Sequence, residues 1–211
     1  HEVLDACAAV TLAVRILQEE KLLSDNFNNE EFVKTGFYDS VRKGLSLFSG
    51  GKRRSEIIGK FTNINGDNVV VIDDYGHHPT AVKTTLEGFR EFYAGRKIIV
   101  DFMSHTYSRT QSLLKEFAYS FESADLVILH KIYSSARENP KDFKINGMTL
   151  FEETKKIKND VIYYEEILDA LDFVREELNK PLDKENYPDG YLFVTMGAGD
   201  NWKLGKALLQ V

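Results

Sequence analysis

Apolar runs and amphipathic stretches alternate along most of the chain after residue 55. Short apolar runs predict strands over residues 69–73, 97–102, 125–130, 161–164 and 191–196. Apolar residues that recur every three or four positions predict helices that begin near Pro79, Ser108, Thr149, Glu165 and Trp202. Strands that alternate with helices form parallel β-α-β units. The pattern therefore indicates a Rossmann-like α/β fold, with a mostly parallel sheet and helices on both faces.

Local signals refine several of these elements. Asn65-Gly66 lies between two β-prone runs and predicts a hairpin, which adds one antiparallel strand to the sheet. Pro79 suits the first turn of the helix that follows it. The inner face of this helix is predicted to consist of Val82, Leu86, Phe89 and Phe92. Ser108 and Gln111 have the spacing of a capping box at the start of the next helix.

The first fifty residues follow a different pattern. Helical spacing predicts amphipathic helices over residues 2–19 and 30–47, and Gly50-Gly51 should end the second one. We therefore divide the chain into a helical appendage, residues 1–49, and an α/β domain, residues 50–211. Because the chain begins at His1 within a helical pattern and without a methionine, we expect it to be part of a longer protein.

Composition narrows the class of protein. The chain has 211 residues, 43% of them hydrophobic, and a net charge of −6, which argues against a protein that coats nucleic acid. A basic cluster, Lys52-Arg53-Arg54, could bind one anionic group. Cys7 is the single cysteine, so no disulfide forms within the chain, which is typical of the cytoplasm. No apolar run approaches the roughly 20 residues that span a membrane, so we expect no membrane partner.

Acidic, aromatic and imidazole side chains follow two of the predicted strands. The candidate residues are Asp73, Asp74, Tyr75, His77, His78, Asp101, His105 and Arg109. In an open α/β sheet, ligands bind beyond the carboxyl ends of the strands. If the two strands are neighbours, these residues should surround one crevice.

The residues alone leave two kinds of site open. Asp and His ligands at this spacing suit a metal pair, as in a stand-alone metallohydrolase. An Asp at a strand end also suits ribose hydroxyls, and an Arg such as Arg54 or Arg109 suits a phosphate or carboxylate. Individual residues could instead be structural: His78 could cap the helix from Pro79, and Asp73 could fix a turn. His130 ends an apolar strand and is better explained as a structural histidine.

Five motifs in order resemble the C-terminal part of the Mur ligase family. They are Gly51-Lys-Arg-Arg54, Asp73-Asp-Tyr-Gly-His-His-Pro-Thr80, His105-Thr-Tyr-Ser-Arg109, Ile132-Tyr-Ser-Ser-Ala-Arg-Glu138 and Met196-Gly-Ala-Gly-Asp200. The start of the chain, His1 to Ala9, is similar to a helix that closes the central ATPase domain of these enzymes. The resemblance covers both parts of the chain.

The resemblance implies an ATP-dependent ligase of peptidoglycan synthesis that joins L-alanine to UDP-N-acetylmuramate through an acyl phosphate. It implies that Arg54 and Asp74 hold the phosphates and ribose of ATP. Tyr75, His77, His105 and Arg109 would line the alanine and acyl-phosphate end, with no catalytic residue assigned. The chain has no phosphate loop, so the N-terminal and central domains, with the Mg²⁺ ligands, would lie elsewhere in the protein. Alone, the chain should be inactive.

Some assignments stay open. Glu2 and Asp5 stand where the family has adenine-contacting asparagines, and ionised carboxylates accept hydrogen bonds but cannot donate them. The turn Gly197–Asp200 could approach a ligand or simply be tight. The segment Tyr133–Glu138 could face the crevice, or Arg137 and Glu138 could form a surface ion pair. A sibling ligase that attaches whole tripeptides, and a non-catalytic domain with the same fold, are the remaining alternatives.

Overall fold

The computed structural model describes residues 2–34, 36–47 and 51–210. By its internal contacts the chain divides into two compact units, His1–Gly50 and Gly51–Val211. Among the described residues, no helix is both long enough and apolar enough to cross a membrane.

The first unit consists of short helices around an aromatic cluster. Its helices are α1 (Glu2–Glu19), α2 (Asn29–Lys34) and α3 (Phe37–Leu47). The prediction of one helix over residues 30–47 is wrong, because Gly36 has a φ of +72° and a right-handed helix cannot continue through that conformation. The rings of Phe27, Phe32 and Phe37 pack edge to face, with centroids 5.3–6.3 Å apart. These contacts hold α2 and α3 beside the loop after α1.

The second unit is built on a six-stranded sheet. Its strands are β1 (Glu56–Thr62), β2 (Asn68–Asp74), β3 (Arg96–Met103), β4 (Leu126–Leu129), β5 (Val161–Tyr163) and β6 (Gly190–Gly197). The strand order is β1-β2-β6-β3-β4-β5. Only β1 runs antiparallel to its neighbour, through the hairpin at Asn65-Gly66. The predicted α/β fold, with one antiparallel strand, is confirmed.

Helices cover both faces of this sheet. They are α4 (Pro79–Phe92), α5 (Tyr107–Ser112), α6 (Leu114–Tyr119), α7 (Gly147–Lys155), α8 (Leu171–Leu178) and α9 (Trp202–Leu208). Side chains from α4, α6 and α7 form one hydrophobic cluster with the sheet, and those from α8 and α9 form another on the opposite face. The prediction for Phe92 is wrong: its side chain is 80% exposed, because it lies in the last turn of α4, beyond the sheet.

The strand order corrects one expectation about the site. The strands that precede Asp74 and His105 are not neighbours, because β6 lies between β2 and β3. Their ends are nevertheless level, since Asp73, Thr195 and Asp101 lie side by side across β2, β6 and β3. The carboxyl ends of all three strands therefore open onto the same edge of the sheet.

Candidate functional site

A row of aromatic and imidazole rings connects the carboxyl end of β2 with that of β4. The ring centroids of Tyr75 and His77 are 5.0 Å apart, those of His77 and His105 are 5.8 Å apart, and those of His105 and Tyr133 are 5.7 Å apart. The structure thus brings together Tyr75, His77 and His105, although β6 separates the strands that carry them. Asp101, which was also predicted to border the crevice, is instead buried against His130.

Backbone pairing beyond the sheet fixes the far end of this row. The amide of Tyr133 donates to the carbonyl of Ser104 at 2.8 Å, and the amide of Thr106 donates to the carbonyl of Tyr133 at 3.0 Å. His105 and Tyr133 form an isolated parallel bridge. Thr106 has a φ of +71°, which turns the chain sharply into α5. This turn places Arg109 one helical turn after His105.

His105 and Arg109 each have a buried nitrogen without a hydrogen-bond partner. Nδ1 of His105 and Nη1 of Arg109 find no acceptor or donor among the described residues. A buried donor of this kind is costly unless a ligand or water satisfies it. Burial lowers the pKa of His105, and the positive charges of His77 and Arg109 lower it further, against the opposing charge of Glu138. Arg109 is therefore the permanent cation at this point, with a largely neutral imidazole beside it.

An open groove borders these two side chains. Its lining includes the hydroxyls of Ser108, Ser112, Ser134 and Ser135, the guanidinium of Arg137, the imidazole of His78 and the carboxylate of Glu138. A groove with a fixed guanidinium and several hydroxyls suits a small ligand that carries a carboxylate or phosphate.

Asp74 is tied into the turns around it. Its Oδ2 accepts hydrogen bonds from the amide and the hydroxyl of Ser55, at 2.8 and 3.3 Å. Its Oδ1 accepts the amide of Gly76 at 2.7 Å. The carboxylate therefore joins the start of β1 to the segment that carries Tyr75 and His77.

The two arginines of the basic cluster have different surroundings. Arg53 donates from Nε to Asp73 Oδ2 and from Nη2 to the carbonyl of Gly197, both at 2.7 Å, and its guanidinium lies 5.2 Å from the Tyr75 ring centroid. Arg54 is exposed, and within the described part of the chain its side chain has no hydrogen-bond or ionic partner. The sequence prediction did not single out Arg53, which contacts the Tyr75 ring, whereas the guanidinium of Arg54 is exposed to solvent.

The side chains considered as ligands of a metal pair have other partners. Asp101 is hydrogen bonded to His130 in the protein interior, and Asp73 pairs with Arg53. His78 caps α4, since its Nδ1 accepts the amide of Thr80 at 3.3 Å. Across residues 2–34, 36–47 and 51–210, no three His, Cys, Asp or Glu side chains converge to hold a metal ion. The structural alternatives for His78 and His130 are confirmed.

The structure also shows the surroundings of the turn Gly197–Asp200, which the sequence left without an assigned role. A Cβ on Gly199 would lie 2.5 Å from the Met103 sulfur, so the glycine allows close packing of the turn after β6.

Glu138 does not pair with Arg137. Its carboxylate instead accepts the amides of Tyr107 and Ser108. The predicted capping box of Ser108 is therefore wrong, because the Ser108 hydroxyl donates to Glu138.

The structure is an α/β domain with a groove at its strand ends, bordered by a guanidinium nitrogen that is buried and unpartnered among the described residues. The family model "Mur ligase, glutamate ligase domain" matches residues 53–199. The chain therefore belongs to the Mur ligase family.

Curated relatives share this similarity over most of the chain. A UDP-N-acetylmuramate–L-alanine ligase of Treponema pallidum is 46% identical over the whole chain, and one of Borreliella burgdorferi is 36% identical over 80% of it. The chain spans only 39% and 33% of the length of these two relatives.

Two solved structures share the fold. A UDP-N-acetylmuramate–alanine ligase of Thermotoga maritima matches 85% of the chain and 34% of its own length, with a TM-score of 0.61 and 22% identity. A murein peptide ligase of Psychrobacter arcticus matches 81% of the chain and 32% of its own length, with a TM-score of 0.55 and 21% identity. At these identities the likeness concerns the fold.

Proposed function

We propose that the chain is the C-terminal portion of a cytoplasmic, ATP-dependent ligase that joins L-alanine to UDP-N-acetylmuramate. The names of the relatives that match along the whole chain support this substrate pair. The observation that carries the proposal is the pair of buried, unpartnered nitrogens of His105 and Arg109 at the groove. Such groups fit the anionic end of an amino acid and the acyl phosphate that it attacks.

The charge of the groove suggests which residue binds the amino-acid substrate. A planar guanidinium binds a carboxylate with two parallel hydrogen bonds, so Arg109 is the proposed partner of the alanine carboxylate. His105, with its lowered pKa, adds a neutral imidazole rather than a second cation. Tyr75 and His77 continue the wall toward Arg53. Fixed dipoles and charges of this kind stabilise the negative charge that develops in acyl transfer.

Two residues, Arg54 and Asp74, are proposed to bind ATP. ATP would supply the phosphoryl group that activates the substrate carboxylate. Arg54 fits its phosphates, because this exposed guanidinium has no other partner in the described part of the chain. Asp74 lies close by through Ser55, and its oxygens retain lone pairs for a ribose hydroxyl beyond the three bonds that they accept. The described residues do not fit Mg²⁺, so its ligands are proposed to lie on the other domains.

The helical unit exposes several large apolar side chains. Leu12, Ile16 and Leu22 are 62%, 50% and 71% exposed. We propose that they pack against the rest of a central ATPase domain. The side chains of Glu2 and Asp5 lie outside the described ones, so their relation to adenine stays a prediction.

The complete gene product tests this function. With ATP, UDP-N-acetylmuramate and L-alanine, we expect phosphate release that requires all three, and we expect none from the 211-residue chain alone. Arg109→Ala should raise the KM for L-alanine. Arg54→Ala should raise the KM for ATP. Arg175→Ala, on the solvent side of α8, is the matched control.

Two results would change the assignment. If a tripeptide replaced L-alanine efficiently, the protein would be the sibling ligase that attaches tripeptides. If neither arginine variant differed from Arg175→Ala, the groove would not be the substrate site.

A further inference from the structure

The start of α5 is held by a carboxylate from a distant segment. One oxygen of Glu138 accepts the amide of Tyr107 at 2.7 Å. The other accepts the amide of Ser108 at 3.3 Å and also the Ser108 hydroxyl. Thr106, the residue at the helix start, makes no side-chain capping bond. Glu138 therefore caps the N-terminus of α5 in place of a residue next to it in the sequence.

This contact has an unusual structural context. α5 has only six residues, and isolated helices of that length are not stable in water. The chain enters it through Thr106, whose positive φ is unfavourable for a branched residue. The orientation of α5 must therefore be fixed from outside, and Arg109 is its third residue.

Glu138 lies on the same segment as Tyr133, so the turn before Arg109 is held at two points. The first is the backbone pairing of Tyr133 with Ser104 and Thr106. The second is the Glu138 carboxylate. Desolvation raises the pKa of Glu138, but the hydrogen bonds from Ser108 and Tyr107 outweigh it and lower the pKa below its usual value. The group is therefore an ionised acceptor at neutral pH.

We propose that Glu138 is a positioning residue for the amino-acid substrate. By holding the first turn of α5 it fixes the direction of the Arg109 guanidinium in the groove. The inference rests on the proposed function, and it assigns to Glu138 a role in substrate orientation without contact with the reacting atoms.

A second consequence is electrostatic. Burial and the charges of His77 and Arg109 lower the pKa of His105, and Glu138 is the group that opposes them. Removal of the carboxylate charge should lower the pKa of His105 further. A purely structural brace without a charge effect would leave this titration unchanged.

The test compares four variants of the complete enzyme with the unmodified enzyme. They are Glu138→Ala, Glu138→Gln, Glu138→Asp and Glu116→Ala, where Glu116 is an exposed residue of α6 and serves as control. We measure separate KM values for L-alanine, ATP and UDP-N-acetylmuramate, together with kcat. We follow the His105 titration by NMR in the 211-residue chain.

Glu138→Ala should raise the KM for L-alanine by about ten- to a hundred-fold, the usual cost of a misplaced binding group, and leave the other two KM values within about two-fold. Glu138→Gln should recover part of the loss, because one amide oxygen replaces two carboxylate oxygens. Glu138→Asp should not recover it, because its side chain is one methylene shorter. The pKa of His105 should fall in the Ala and Gln variants only.

The proposal is overturned if Glu138→Ala matches Glu116→Ala, or if it raises all three KM values equally. Neither result touches the proposed function, because the unmodified enzyme tests that function in the same assay. If the unmodified enzyme failed to ligate L-alanine, the ligase assignment would fail first, and the NMR titration would still report on Glu138.

Discussion

His130 donates a hydrogen bond to Asp101 in the centre of the protein, where both side chains are completely buried. The other ring nitrogen of His130 bonds to the carbonyl of Tyr164 at 2.8 Å. The pair therefore joins the ends of β3 and β4 to the segment after β5. His105 and Tyr133 follow these strands within four residues. The buried pair thus supports the site from beneath.

The stability of the protein should depend on the protonation of His130. Burial lowers the pKa of His130, but the charge of Asp101 and the hydrogen bonds to Asp101 and Tyr164 outweigh it, so the pKa is raised above 6.5. A raised pKa means that the folded protein binds this proton more tightly. Its stabilisation is complete below the unfolded pKa and is lost as the pH rises through the folded pKa.

Urea unfolding from pH 6 upward, followed by circular dichroism, measures this effect. The unmodified chain should lose its stability advantage over Asp101→Asn as the pH rises, because the variant lacks the charge that raises the pKa. The comparison cancels groups that titrate alike in both proteins. A difference that stayed constant or grew with pH would mean that His130 is neutral in the folded protein.

Local patterns in the sequence predicted the elements of the fold but not their arrangement. The apolar runs and Asn65-Gly66 act over a few residues, so the strands and the hairpin could be predicted. The insertion of β6 between β2 and β3 depends on how helices pack across the whole sheet, which no local pattern encodes. The break at Gly36 had a signal, since glycine is unfavourable within a helix.

The candidate site also has features that the local sequence predicts and features that it does not. Residues that directly follow strands, such as Tyr75 and His105, could be placed at the crevice from the sequence. The cap of α5 could not, because Glu138 lies 30 residues from Ser108 and displaces the local partner Gln111. The choice between Arg53 and Arg54 depends on the positive φ of Arg53, which adjacent identical residues do not reveal.

The neighbouring arginines should respond differently to truncation. Arg53→Ala leaves the buried Asp73 carboxylate without its cation, which should cost about 1–3 kcal/mol of unfolding free energy. Arg54→Ala removes an exposed side chain and should change stability by less than about 0.5 kcal/mol. Chemical unfolding of the 211-residue chain, followed by the fluorescence of its single tryptophan, Trp202, measures both. Equal losses would contradict the separate roles.

We expect the Arg109 side chain to bind ligand but not to stabilise the folded protein. Its Nη1 is buried without a partner in the described part of the chain, so Arg109→Met should leave stability unchanged within about 0.5 kcal/mol, or raise it. Arg90→Met is the matched contrast. Arg90 bonds to Asp125 and to two carbonyls, and its loss should cost about 1.5–3 kcal/mol.

Thermal unfolding of the three proteins in parallel gives the comparison. If Arg109→Met were as destabilising as Arg90→Met, the Arg109 guanidinium would be a structural group, and its place in the groove would need another explanation.

Gly197, at the end of β6, should not accept a side chain without a cost in stability. It has a φ of +138°, and a Cβ there would lie 2.4 Å from the carbonyl oxygen of Met103 on the neighbouring strand. Gly197→Ala should therefore cost roughly 1–3 kcal/mol for the backbone conformation and a similar amount for the clash. Gly66→Ala has a positive φ of +83° but nothing within 4 Å of the new Cβ, so it should show only the first cost.

The clash also has a consequence at the site. The Gly197 carbonyl accepts a hydrogen bond from Arg53, so displacement of the end of β6 should weaken that contact as well. In the complete enzyme, Gly197→Ala should therefore lower activity at temperatures where Gly66→Ala retains it. Urea midpoints rank the two stabilities, and ligation assays well below both melting temperatures separate the local effect from unfolding. Equal activity of the two variants would show that the position of the β6 end does not matter to the groove.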